Sequence, residues 1–124
     1  MLPITYNDEM KDGSCPIRHV LSQVTGKWRI LILMALEDGA LRFGETKRAI
    51  GEITQRVLTE NLRGLEREGY LTRTVIDGPP VAVSYALTER GVDLVERLKP
   101  LIYWANSITT DVKRSRASYD KKNS

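Results

Sequence analysis

Three features of this sequence predict a mainly α-helical domain carrying one small β-hairpin. An apolar run from Ile30 to Leu36 lies between segments with helical spacing. Leu58, Leu62 and Leu65 recur at the i, i+4, i+7 interval of a one-sided helix. The period then switches to alternation between Leu71 and Leu87, interrupted by the turn signal Asp77-Gly78-Pro79-Pro80. With 124 residues, 41% hydrophobic and 28% charged, the chain is expected to form a soluble domain around one core.

Residues 1–13 show no sustained period and end on Asp12-Gly13, so they read as an N-terminal arm. Ser14-Cys15-Pro16 then starts a helix, with Pro16 at the first helical position, where a missing N–H costs nothing. Ile17, Val20, Leu21 and Val24 share one face of it, and it ends near Thr25-Gly26. The next helix, from about Lys27 to Glu37, is apolar almost all round, which predicts the central, buried helix of the core. Leu41-Arg42-Phe43 is long enough only for a brief extended strip. Gly44 to Ile50 forms a short helix stopped by Gly51, and Thr54 caps another that runs to about Glu68 and is closed by Gly69. Residues 71–76 and 81–87 are strand-like and rich in β-branched side chains, and the turn between them makes an antiparallel hairpin. Thr88 caps a final helix reaching about Lys113, with a kink expected at Pro100. Residues 114–124 are polar and aperiodic and read as a basic flexible tail, leaving 14–113 as the folded domain.

A short helix, a turn, a second helix and then a hairpin, all set behind a buried helix, is the order of a winged helix-turn-helix. Such a domain places one helix in the DNA major groove. The helix after Thr54 has the composition for that task. Its leucines form one stripe, while Arg56, Arg63 and Arg67 fall on the opposite face with Thr59 to one side. Arg can pair with guanine or phosphate, Gln with adenine, and Thr with either base edges or backbone. Gln55, Arg56 and Thr59 lie in the first turns and are the base-reading candidates, with Arg63 next. Thr54 and the N–H groups beside it can hold a phosphate, and Arg73 at the base of the hairpin can touch another. The wing tip, 77–80, offers no positive charge. Glu60, Glu66 and Glu68 interleave with the arginines and could simply pair with them.

Charge is placed to match. The formal net charge of +3 gathers in residues 42–73, with seven basic against five acidic side chains, and in residues 111–124, with five against two. The remaining segments are slightly acidic.

Other classes find little support. One Cys and one His leave no conventional zinc site and no intramolecular disulfide. The longest apolar run falls far short of the ~20 residues of a membrane span, and the first residues do not form a signal peptide. Cys15 and His19 stand four apart, but no third catalytic group or phosphate-binding glycine loop accompanies them. The expectation is therefore a non-enzymatic, cytoplasmic protein with no cofactor and no membrane partner.

Together, these residues resemble the HxlR-type winged helix-turn-helix transcriptional regulators. The match is carried by Cys15-Pro16, Gly26-Lys27-Trp28, Leu41-Arg42-Phe43, Ile53-Thr54-Gln55-Arg56-Val57-Leu58-Thr59, Gly69-Tyr70-Leu71, Tyr85-Ala86-Leu87-Thr88 and Trp104. It spans about residues 15–105. The chain departs from the family's common pattern at Ser84, where a Glu often precedes the Tyr, and at Gly51-Glu52-Ile53, where Pro-Gly-Ile is frequent. The resemblance implies a dimeric, sequence-specific DNA-binding regulator of a bacterium or archaeon, often a repressor.

Dimerisation is also supported by the final helix itself. Its apolar residues, among them Leu98, Leu101, Ile102, Trp104 and Ile108, form a stripe broader than one small domain needs. A two-fold protein would suit a palindromic double-stranded operator, and the helix beginning at Cys15 can join the interface. Cys15 sits at the positive end of that helix's dipole, which favours its thiolate. In the resembled family a Cys at this place often senses oxidants or electrophiles, which makes Cys15 the candidate redox trigger. The alternative keeps the fold but leaves Cys15 inert, with a small-molecule effector bound at the dimer helices near Trp28, Tyr103 and Trp104.

Overall fold

The computed structural model describes residues 20–22 and 24–124. Residues 20–22 and 24 are helical, and Thr25 closes that helix by donating from both its backbone N–H and its hydroxyl to the Leu21 carbonyl, at 3.0 and 2.6 Å. There follow α1 (Lys27–Ala35), β1 (Leu41–Arg42), α2 (Phe43–Ile50), α3 (Gln55–Arg67), β2 (Leu71–Ile76), β3 (Ala82–Leu87) and α4 (Glu89–Lys122). The order is that of the expected winged helix-turn-helix: α2, the Gly51–Thr54 turn and α3, followed by the β2–β3 wing.

The chain divides into two compact units, Met1–Val92 and Asp93–Ser124. In the first, α1 packs on α2 and α3, and α3 packs on β2. Ile32, Leu33 and Leu36 meet Ile53, Leu58, Leu62 and Leu65 in a core that is nearly closed to water. The all-round apolar pattern of α1 overstated its burial. Leu31 stays 40% exposed, and Trp28, Ile30 and Met34 are half-buried. With α2 and α3 both packed on it, α1 still has a side left over. Lys27 places its ammonium 4.4 Å from the centre of the Trp28 ring on this helix.

The three strands form an antiparallel sheet in the order β1-β3-β2. The brief strip at 41–42 is thus an edge strand, paired through Leu41 with Tyr85 and through Arg42 with Ser84. In the wing, Leu71 faces Leu87, Arg73 faces Tyr85 and Ile76 faces Ala82. Directly opposed residues share a face of the sheet, so Leu41, Arg73 and Tyr85 lie on one side.

Capping explains where the elements stop. Thr54 Oγ1 accepts the Val57 N–H at 3.2 Å, as an N-cap should. Gly69, at φ +84°, ends α3 in a Schellman turn: its N–H reaches the Glu66 carbonyl, and the Tyr70 N–H reaches that of Leu65. Thr88 caps α4 by accepting the Gly91 N–H at 3.1 Å while its hydroxyl donates to the Gly69 carbonyl at 2.6 Å. Gly91 is obligatory there, since a Cβ would overlap the Tyr70 carbonyl oxygen.

The end of α4 corrects the sequence reading. Helix does not stop near Lys113 but passes through Pro100 and continues to Lys122, so residues 114–122 are helical. No apolar stripe drives this last stretch. It is held by local contacts: Arg114 pairs with Asp111, Ser115 bonds the Asp111 carbonyl, and Asn123 bonds the Tyr119 carbonyl at the end. Lys121 and Lys122 face the negative end of the helix dipole. Among the described residues no helix is long and apolar enough to cross a membrane.

Candidate nucleic-acid interface

The leucine stripe of α3 docks the helix and thereby decides what it offers to the outside. Leu58, Leu62 and Leu65 are fully buried, while Gln55, Arg56, Arg63 and Arg67 are exposed and Thr59 is half-buried. On its flank, Arg29 of α1 donates to Asn61 Oδ1 at 3.3 Å, and Asn61 in turn donates to the Val57 carbonyl at 2.8 Å. The rotational setting of α3 is therefore held by packing and by a polar clasp.

The exposed face is partly engaged with itself. Arg56 Nε lies 3.2 Å from Glu60 Oε1, with side chains 88% and 62% exposed. An ion pair in such full contact with water contributes little stability and is easily exchanged for another anion. Thr59 donates its hydroxyl to the Gln55 carbonyl at 2.8 Å. Thr54 uses its oxygen as the helix cap, which leaves its proton for a phosphate.

Two hollows adjoin this face. The shallower, of about 480 Å³, runs along Gln55, Arg56, Thr59, Glu60 and Arg63. The larger, of about 630 Å³, lies between α3 and the sheet, where Gln55, Thr59, Arg63 and Glu66 face Arg42, Arg73 and Tyr85. Five of the six residues read from the sequence as DNA contacts, Gln55, Arg56, Thr59, Arg63 and Arg73, thus line one continuous surface with Thr54 at the helix end beside it. Among the described residues no carboxylate pairs with Arg42, Arg63 or Arg73. No group of His, Cys, Asp and Glu among them could hold a metal ion.

A cationic helix face beside a wing is a DNA-binding arrangement, and comparison with known proteins specifies its lineage. The model of HxlR-like helix-turn-helix proteins matches residues 23–113. The chain belongs to this family. An HxlR-like relative, the uncharacterized HTH-type transcriptional regulator YtfH of Escherichia coli K12, is 35% identical over 109 residues, which are 84% of this chain and 86% of the relative. A solved structure assigned as the transcriptional regulator YtfH of Salmonella typhimurium superposes with a TM-score of 0.78 at 34% identity, covering 85% of this chain and 94% of that one. The redox regulator HypR in its reduced form gives a TM-score of 0.73 at 34% identity, covering 80% and 98%. This HxlR-like chain is accordingly a DNA-binding helix-turn-helix transcriptional regulator, and its α3 is the second helix of the motif.

Two residues of the site escaped the sequence reading. Arg42 was seen only as part of an extended strip, and Tyr85 only as a strand residue of the resembled motif. Both come to α3 through pairing between β1 and β3, which no local pattern announces. The remaining candidates fall elsewhere. Cys15 lies outside the described residues, as do the 1–13 arm and the start of the first helix. Leu98 is buried and leaves little surface for a partner, whereas Leu101 and Trp104 are exposed and Ile102 and Ile108 are half-buried.

Proposed function

We propose that this protein is a cytoplasmic, homodimeric repressor that places α3 in the major groove of a palindromic double-stranded operator and is released by oxidation at Cys15. The reading rests on the exposed face of α3, where Gln55, Arg56, Thr59 and Arg63 stand together with Arg73 of the wing beside them. Gln55, Arg56 and Thr59, at the end that enters the groove, read base edges; Arg63 follows; Thr54 and Arg73 hold phosphates. The wing tip, which carries Asp77 and no positive charge, contributes no phosphate contact. Electrophoretic mobility shift on DNA from the protein's own promoter, repeated across salt, tests this. Affinity falls linearly with salt on logarithmic axes. Arg56→Ala weakens the specific complex about tenfold or more, and unchanged affinity would refute the assignment.

The dimer is supported by the apolar surface that unit 93–124 leaves open, with Leu101, Ile102, Trp104 and Ile108 as its interface residues beside the buried Leu98. The redox step is supported by the likeness to HypR and by the sequence pattern Ser14-Cys15-Pro16, from which a helix start at Cys15 is expected. With one Cys per chain, diamide would take two electrons and two protons from the thiols of two copies to form one disulfide. With a small thiol in place of the second copy, diamide would take the same two electrons and two protons and leave a mixed disulfide. Cys15→Ser abolishes the loss of DNA binding on diamide treatment; a response that persists in the variant excludes Cys15 as the trigger.

A further inference from the structure

The structure assigns a second ligand to the groove between α3 and the sheet: we propose that it binds a small aromatic carboxylate, and that occupation excludes DNA. The exclusion rests on the reading of α3 as the DNA-reading helix; the binding does not. This groove is an open hollow between the helix and the sheet. Its volume of about 630 Å³ lies within the range of small-molecule sites. Part of its wall is aromatic and aliphatic, with Phe43 and Val83 half-buried and Tyr85 only 7% exposed. At its rim stand Arg42, Arg63 and Arg73, contributed by β1, α3 and β2.

Tyr85 makes the argument specific. Its ring is buried, yet its hydroxyl bonds to none of the described residues. No buried side-chain oxygen or nitrogen among those residues lacks a partner, so this hydroxyl is not sealed in. Tyr85 is one of the residues that line the groove. This O–H donor and three guanidinium groups without carboxylate partners belong to residues that border one hollow, which makes a donor set for a carboxylate. Bare phosphate would leave the aromatic part of the wall unused, and a neutral aromatic would leave three cations around one hollow with only Glu66 to offset them. An anion with an apolar ring satisfies both halves. Because Gln55, Thr59 and Arg63 line this groove and also the hollow along α3, a bound anion occupies atoms that DNA needs.

Calorimetric titration with cinnamate, cinnamamide and inorganic phosphate tests the site. Cinnamate is expected to saturate with a Kd of roughly millimolar or tighter, with the amide and phosphate at least about tenfold weaker. Tyr85→Phe, which keeps the ring and with it the melting temperature, weakens cinnamate about tenfold, as does Arg73→Ala. Saturation by phosphate alone, equal binding of the amide, absence of cinnamate binding, or indifference to both substitutions overturns the proposal. In mobility shifts on promoter DNA, cinnamate releases wild-type complex at concentrations that rise in parallel for Tyr85→Phe. Cinnamate bound beside unreleased DNA overturns the exclusion. Cinnamate binding by a protein that shifts no DNA at low salt overturns the DNA reading while supporting the site.

Discussion

At the scale of single residues, the face proposed to read DNA also carries its own competitor. Glu60 holds Arg56 at 3.2 Å on a fully hydrated surface, and the same carboxylate opposes any phosphate that approaches. Breaking this pair costs at most about 1 kcal/mol, whereas the negative charge persists throughout the encounter. Glu60→Gln is therefore expected to tighten operator binding roughly two- to tenfold with little change in melting temperature. Fluorescence anisotropy titrations at two salt concentrations would check it, and the gain should shrink at the higher salt. Which residues face outward on α3 was legible in the sequence, because three leucines at helical spacing orient everything else on the helix. That Arg56 is paired was foreseen only as one possibility, since helical spacing allows the contact without requiring it. Arg42 and Tyr85 were not legible as site residues at all. Their place depends on β1 meeting β3 across more than forty intervening positions.

At the scale of elements, the helix and strand boundaries followed from side chains that act locally. Thr54, Thr88, Gly51 and Gly69 each stop or start an element by a hydrogen bond or a left-handed backbone within a few residues of themselves. Such signals are visible in one dimension. The extension of α4 to Lys122 was missed because its last turns lack an apolar period and rest on charge pairs and side-chain-to-carbonyl bonds. The partial exposure of α1 was missed for the opposite reason: an apolar surface predicts burial without saying what covers it. A tight junction joins the end of α3, the wing and the first turn of α4, where the Tyr70 carbonyl takes the Thr88 N–H at 3.1 Å and Gly91 passes directly over it. Gly91→Ala must displace this backbone. A loss of about 1–3 kcal/mol is expected from overpacking, read as a lower urea midpoint with an unchanged slope.

At the scale of the whole molecule, the described residues leave much large apolar surface uncovered in each unit. Leu31 and Leu21 in the first, and Leu101, Tyr103 and Trp104 in the second, are each at least 40% exposed. Surface of this kind, gathered on helices, marks association. Light scattering is expected to give twice the 14.1 kDa chain mass, and Trp104→Glu, at a position already 57% exposed, to give the monomer mass without loss of helical circular dichroism. A Trp104→Glu protein that remains dimeric would move the interface elsewhere.

The Thr88 clasp has a further consequence. Its hydroxyl ties the end of β3 to the Gly69 carbonyl at the start of β2, so the hairpin is locked at its root, while the loop from Asp77 to Val81 leaves the far end without such a tie. Local opening must then begin at the tip and run downward, and amide protons along the wing should exchange in that sequence, fastest near Ile76 and slowest near Leu71. Arg73 lies close to the protected end. The guanidinium proposed to meet an anion is thus mounted on the part of the wing expected to breathe least.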